Sequence, residues 1–192
     1  MAGKIQKFNF CPTDIPGVLK IDAFCAWDER GCLTKDYSAE VFQANGRPHE
    51  LMETFYTTSH RGVVRAIHFQ REVQQSKLLR VIKGRVYDAV VDLRKGSATF
   101  GKWIGFDLCE EEKTELYIPG GCGHGYLVLE DAIVSYKADN PFVGEYDDGI
   151  MWNDPDIGVV WPLERVDNII LAEKDQKLQS LRQFVERYGG LK

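Results

Sequence analysis

A chain of 192 residues, 44% hydrophobic and 28% charged, has the balance of one soluble globular unit with a single sizeable core. Its net charge of −5, with no Lys/Arg run to offset it, speaks against a surface that tracks nucleic-acid phosphates. No run of about 18 apolar residues is present and MAGKIQKFNF lacks a signal-peptide core, so a cytoplasmic location without a membrane partner is expected.

The N-terminal part, to about Thr58, is mixed. VLKIDAF (18–24) and ELMETFYTT (50–58) read as strands, and DYSAEVFQANG between them reads as a short helix ending at Gly46. From Val63 to Lys137, runs of β-branched and aromatic residues recur. They are VVRAIHFQ (63–70), KLLRVIKG (77–84), RVYDAVVDLR (85–94), FGKWIGFDL (100–108), ELYIPG (115–120), HGYLVL (124–129) and AIVSYKA (132–138). Many short strands divided by Gly, Ser and charged clusters predict an all-β barrel or sandwich rather than βαβ units. Leu178, Leu181, Phe184, Val185 and Tyr188 then recur at helical spacing. They predict an amphipathic helix over about 174–188, stopped by Gly189-Gly190 and packed outside the barrel.

In VYDAVVDLR, Tyr87, Ala89, Val91 and Leu93 share one face, and Val86, Asp88, Val90 and Asp92 share the other. Carboxylates on one face fit either a partly polar interior or plain solvent exposure. The five cysteines are odd in number and form no CxxC, which fits reduced thiols.

Four histidines are present: His49, His60, His68 and His124. Parity in VVRAIHFQ puts His68 on the face of Val64 and Ala66. A strand histidine is more often a satisfied core residue than a catalyst. Arg65, Lys77 and Tyr136 on neighbouring strands change that balance. One imidazole, two cations and one phenol suit removal of a proton beside a carbonyl, with the cations on the enolate oxygen and the phenol returning a proton. Arg65 and His68 would face opposite ways on a regular strand, so a shared site needs a bulge or a strand end. Asp175 in LAEKDQKL reads either as an acid in the first turn of the C-terminal helix or as a partner that sets the His68 tautomer. No HxH or HxxxH occurs and no GxGxxG opens a helix, so neither a metal nor a dinucleotide cofactor is expected.

From about Gly17 to Leu178 the chain resembles the dTDP-4-dehydrorhamnose 3,5-epimerase family. The resemblance rests on VVRAIHFQ, SKLLRVIKGRVYDAVVDLRKGSATFGKW, YIPGGCGHGYLVL, SYKA, IMWNDPDIGVVWP and LAEKD, in that order. It implies a single cupin-type jelly-roll domain, with a core over about 17–172, forming a homodimer by sharing strands. It implies no cofactor, and as substrate a nucleoside-diphosphate 4-keto-6-deoxyhexose inverted at C3 and C5. By motif position, His68 would be the base, Asp175 its partner, Tyr136 the acid and Lys77 the group on the enolate oxygen. Arg30 and Arg65 would bind the pyrophosphate, His124, Lys174 and Asp147 would line the site, and Asp88 would support it. The chain departs from the family pattern at Cys32–Lys35, at Glu53–Phe55 and at Pro141-Phe142, so Lys35, Glu53 and Phe55 mark the nucleotide end. A single-carbon epimerase or ketoisomerase, or a non-catalytic sugar-nucleotide binder, would use the same barrel.

Overall fold

The computed structural model describes residues 7–192; residues 1–6, which open the stretch read for a signal peptide, lie outside them. Twelve strands and two α-helices follow in order. They are β1 (Asn9–Pro12), β2 (Leu19–Asp22), β3 (Phe24–Asp28), β4 (Gly31–Lys35), α1 (Ala39–Ala44), β5 (Glu53–Ser59) and β6 (Val63–Gln70). Then come β7 (Lys77–Asp92), β8 (Trp103–Cys109), β9 (Thr114–Ile118), β10 (Cys122–Ala138), β11 (Asp147–Gly149), β12 (Ile170–Leu171) and α2 (Leu181–Tyr188). Among the described residues no helix is long and apolar enough to cross a membrane.

Two long strands organise the fold. β7 and β10 pair antiparallel along their whole length, from Lys77 against Ala138 to Asp92 against Cys122. The first part of β7 also pairs with β9, and its second part with β8. The first part of β10 pairs with β6, and its last part with β5. Each long strand therefore belongs to two walls. One wall reads β1-β2-β9-β7-β10-β5 and the other β8-β7-β10-β6-β11. The result is the expected all-β jelly-roll sandwich.

KLLRVIKG and RVYDAVVDLR were expected as two strands, as were HGYLVL and AIVSYKA. Each pair is one strand bent between walls. The bend needs Gly84, whose φ is +74° and where a Cβ would meet the Asp131 carbonyl oxygen at 2.2 Å. Register slips between Val128 and Val134 turn β10 in the same place. The charged pair Glu130-Asp131 marks an exposed bulge rather than a strand end.

Val86, Val90, Tyr126, Val128, Val134 and Tyr136 pack between the walls. Val64, Ala66, Phe69, Ala89, Val91 and Leu93 form a second apolar layer outside, covered by Trp161, Leu181 and Phe184 of the C-terminal segment. The C-terminal helix is shorter than predicted. Ser180 caps it in a capping box with Gln183, so α2 starts at Leu181 and not near 174. Asp175 lies before it in a single 3-10 turn, Asp175–Lys177, which overturns its reading as a first-turn acid of that helix.

Asp88 and Asp92 are both fully buried, so neither faces solvent. Their partners separate their roles. Asp92 accepts hydrogen bonds from Arg94, Ser97 and Thr99 and ties down the loop after β7. Burial pushes its carboxyl up, but those bonds more than offset this and hold it below the ordinary carboxylate range. Asp88 turns towards the cavity described next.

Candidate active site

The site begins with an irregularity in β6. His68 sits opposite His124 of β10 and Arg65 opposite Tyr126, with a register slip between the two pairs. Ala66 and Ile67 thus both enter the outer apolar layer, while Arg65 and His68 both line the cavity. The bulge that a shared Arg65–His68 site required is present, and the parity that put His68 with Val64 and Ala66 does not hold. Gly125 makes the close approach possible, because a Cβ there would lie 2.3 Å from that of Ala66.

Between the walls is a cavity of about 450 Å³, within the range of small-molecule sites. His68 and Arg65 reach it from β6, Lys77 from β7, and His124 and Tyr136 from β10. Phe55 enters from β5, Asp147 from β11, and Lys174 and Asp175 from the segment after β12.

Two histidine–carboxylate pairs stand side by side. The Asp175 Oδ1 lies 3.2 Å from the His68 Nε2, with side-chain exposures of 3% and 21%. The contact is close in distance but misaligned for a hydrogen bond, and among the described residues this oxygen has no hydrogen-bond partner. In the second pair the His124 Nδ1 lies 3.2 Å from the Asp88 Oδ2, both buried. Burial pushes the Asp88 carboxyl up and the His124 imidazole down, and their mutual attraction opposes both shifts. Both imidazoles line the cavity, and His68 is the more exposed of the two.

Burial likewise lowers the Lys77 ammonium, while Asp147 and Asp88 pull it back. Burial raises the Tyr136 phenol well above its ordinary value, and Tyr126 and Asp88 add to this. The Tyr136 ring stacks on Phe55 at 4.8 Å and 11°. At the rim the Lys174 Nζ is 3.3 Å from the Asp147 Oδ2, and the Arg65 Nε donates to the Ser59 Oγ at 3.1 Å. Among the described residues no three His, Cys, Asp or Glu side chains converge as a metal-ligand set.

Residues 12–183 match the family model described as dTDP-4-dehydrorhamnose 3,5-epimerase. The chain belongs to this family. It is an isomerase of the epimerase kind on a cupin fold. A relative from Methanothermobacter thermautotrophicus, dTDP-4-dehydrorhamnose 3,5-epimerase, is 44% identical over 93% of this chain and 97% of its own length. An epimerase from Legionella pneumophila, solved in complex with dTDP-4-keto-L-rhamnose, is similar with a TM-score of 0.90 and 31% identity, covering 95% of this chain and 97% of its own. A 3'-monoepimerase from Streptomyces bikiniensis, solved with dTDP-quinovose, has a TM-score of 0.84 at 31% identity, covering 94% and 91%.

Three residues expected at the nucleotide end do not line this family cavity. Arg30 sits at the tip of the β3–β4 hairpin, paired with Asp28, and Lys35 ends β4. That hairpin forms its own two-stranded sheet, which carries both residues away from the pocket. Glu53 opens β5 but turns its carboxylate to the backbone N–H of Phe142 at 3.0 Å, fastening the rim. Thr57, Gln75 and Tyr126, which the sequence reading did not single out, line the cavity, as does Phe142 of the departure at Pro141-Phe142. For Thr57 a signal existed, since Phe55, Thr57 and Ser59 alternate on one face of β5.

Proposed function

We propose that the chain inverts C3 and C5 of a dTDP-linked 4-keto-6-deoxyhexose, using His68 as base and Tyr136 as acid, with neither metal nor redox cofactor. The observation that carries this reading is the placement of the His68–Asp175 pair and Tyr136 on different walls of one cavity, with Lys77 beside them. A carbon next to the C4 ketone is acidic because the resulting anion delocalises onto O4. His68 takes that proton. Asp175, its carboxylate 3.2 Å from Nε2, stabilises the imidazolium that forms. Lys77 supplies N–H donors to the developing enolate oxygen. Tyr136 delivers a proton to the opposite face of the carbon, which inverts it. Arg65 and Lys174 place positive charge at the rim for the pyrophosphate, and His124, backed by Asp88, Asp147 and Phe55 complete the walls.

The test is incubation with dTDP-4-keto-6-deoxy-D-glucose and NMR assignment of the product. Inversion at both C3 and C5 is the expected outcome, and unchanged substrate overturns the reading. Inversion at one carbon selects the second reading, a single-carbon epimerase, which the likeness to the 3'-monoepimerase favours.

The proposal includes a homodimer. Among the described residues the β3–β4 hairpin pairs with no other strand, and Trp27 and Leu33 on it are 70% and 62% exposed. Apolar surface of this kind marks an interaction site. Sedimentation should give about twice the chain mass of 21.9 kDa; a species of single-chain mass at micromolar concentration contradicts this part.

A further inference from the structure

One buried hydroxyl on the cavity wall has no place in the scheme above. Tyr126 is 1% exposed and packs its ring between the walls. A phenylalanine would fill that space equally well, whereas a buried hydroxyl costs free energy unless it is bonded. Its oxygen lies 2.8 Å from the Thr57 Oγ1. Tyr136 belongs to the same buried cluster and lines the same cavity, and the nearness of Tyr126 is among the causes that raise its phenol. The backbone explains this meeting. Tyr126 and Tyr136 lie on either side of the bend in β10, so both rings turn into the same interior. The β5–β10 register places Thr57 opposite Val134, two residues from Tyr136 on the same inward face.

We propose that Tyr126, joined to Thr57, is a positioning residue that holds the Tyr136 phenol in both of its protonation states. This rests on the reading of Tyr136 as the acid. Before transfer, Tyr136 O–H donates to the Tyr126 oxygen, and Tyr126 O–H donates to Thr57. In the transfer the Tyr136 O–H bond breaks, a C–H bond forms on the substrate, and a phenolate remains. The two hydroxyls then rotate. Tyr126 O–H donates to the phenolate and Thr57 O–H donates to Tyr126. The proton gained by His68 balances the one lost by Tyr136, so no co-reactant is needed. The donor matters because burial already makes a Tyr136 phenolate hard to form.

The test uses Tyr126→Phe, with Thr57→Val as the second variant and thermal melting as the folding control. Two quantities are read in D2O: inversion, and solvent deuterium entering unreacted substrate without inversion. In Tyr126→Phe, inversion should fall by about one to two powers of ten, the scale of one lost donor to a developing anion. Exchange without inversion, which needs only His68, should persist, so the ratio of exchange to inversion rises. The alkaline limb of the inversion profile should also move. Thr57→Val should shift the ratio in the same direction by less. Equal loss of exchange and inversion means that Tyr126 only packs, and overturns the proposal. So does a wild-type ratio with a wild-type alkaline limb. A Tyr136→Phe protein that still inverts at the wild-type rate overturns the underlying reading instead, whatever Tyr126 does.

Discussion

His68→Asn should lower turnover by about two to four powers of ten, the range for removing a positioned general base. Its melting temperature should stay within a few degrees of wild type. Both halves of this result follow from the geometry. The His68 side chain is 21% exposed to the cavity, and its close polar neighbour is Asp175. It carries little of the packing, which Val64, Ala66, Ile67 and Phe69 supply on the other side of β6. A histidine kept for stability would give the reverse pattern, with a lower melting temperature and a near-normal rate. His124, buried, bonded to Asp88 and on the cavity wall, should cost both stability and rate when lost. Steady-state kinetics and calorimetry on the same preparation separate the two outcomes.

The second large effect belongs to Tyr136→Phe. It should lose inversion by about two to four powers of ten, while solvent exchange into the substrate continues. Removal of one hydroxyl leaves the ring, its stacking on Phe55 at 4.8 Å and its contact with His124 in place. Packing is therefore unchanged and the missing step is proton return. Burial sets the working range of this acid. It raises the phenol well above 10, so the group stays protonated at neutral pH. A raised value keeps the active, protonated form present below it and removes that form only above it. The inversion rate of the wild type should show no Tyr136-dependent fall below about pH 10. A fall with a midpoint near pH 8 that vanishes in Tyr136→Phe would show that the site lowers the phenol instead.

The strand-borne part of this site was legible in the chain. β6 coincides with VVRAIHFQ, and α1 ends before Gly46 as its composition predicts. His68, Lys77, His124 and Tyr136 were visible because each lies in or beside a strand of clear alternation. What alternation misses is a change of period. The bulge between Arg65 and His68 reverses the parity of the strand, and the bend at Gly84 joins two runs that look separate. Long-range placement was the other gap. Arg30 and Lys35 belong to a hairpin whose position depends on what it packs against, not on its own sequence. Nothing in HGYLVL singles out Tyr126, because the hydroxyl's partner, Thr57, comes from β5 and its neighbour Tyr136 from the far half of the same strand.

The central claim is that one imidazole removes a carbon-bound proton in this cavity. The most direct measurement is the entry of deuterium at C3 and C5 of dTDP-4-keto-6-deoxy-D-glucose in D2O, followed by NMR, with wild type and His68→Asn at equal folded concentration. Deuterium at both carbons with wild type, slowed by about two powers of ten or more in His68→Asn, is the predicted result. Entry at the wild-type rate in His68→Asn contradicts it.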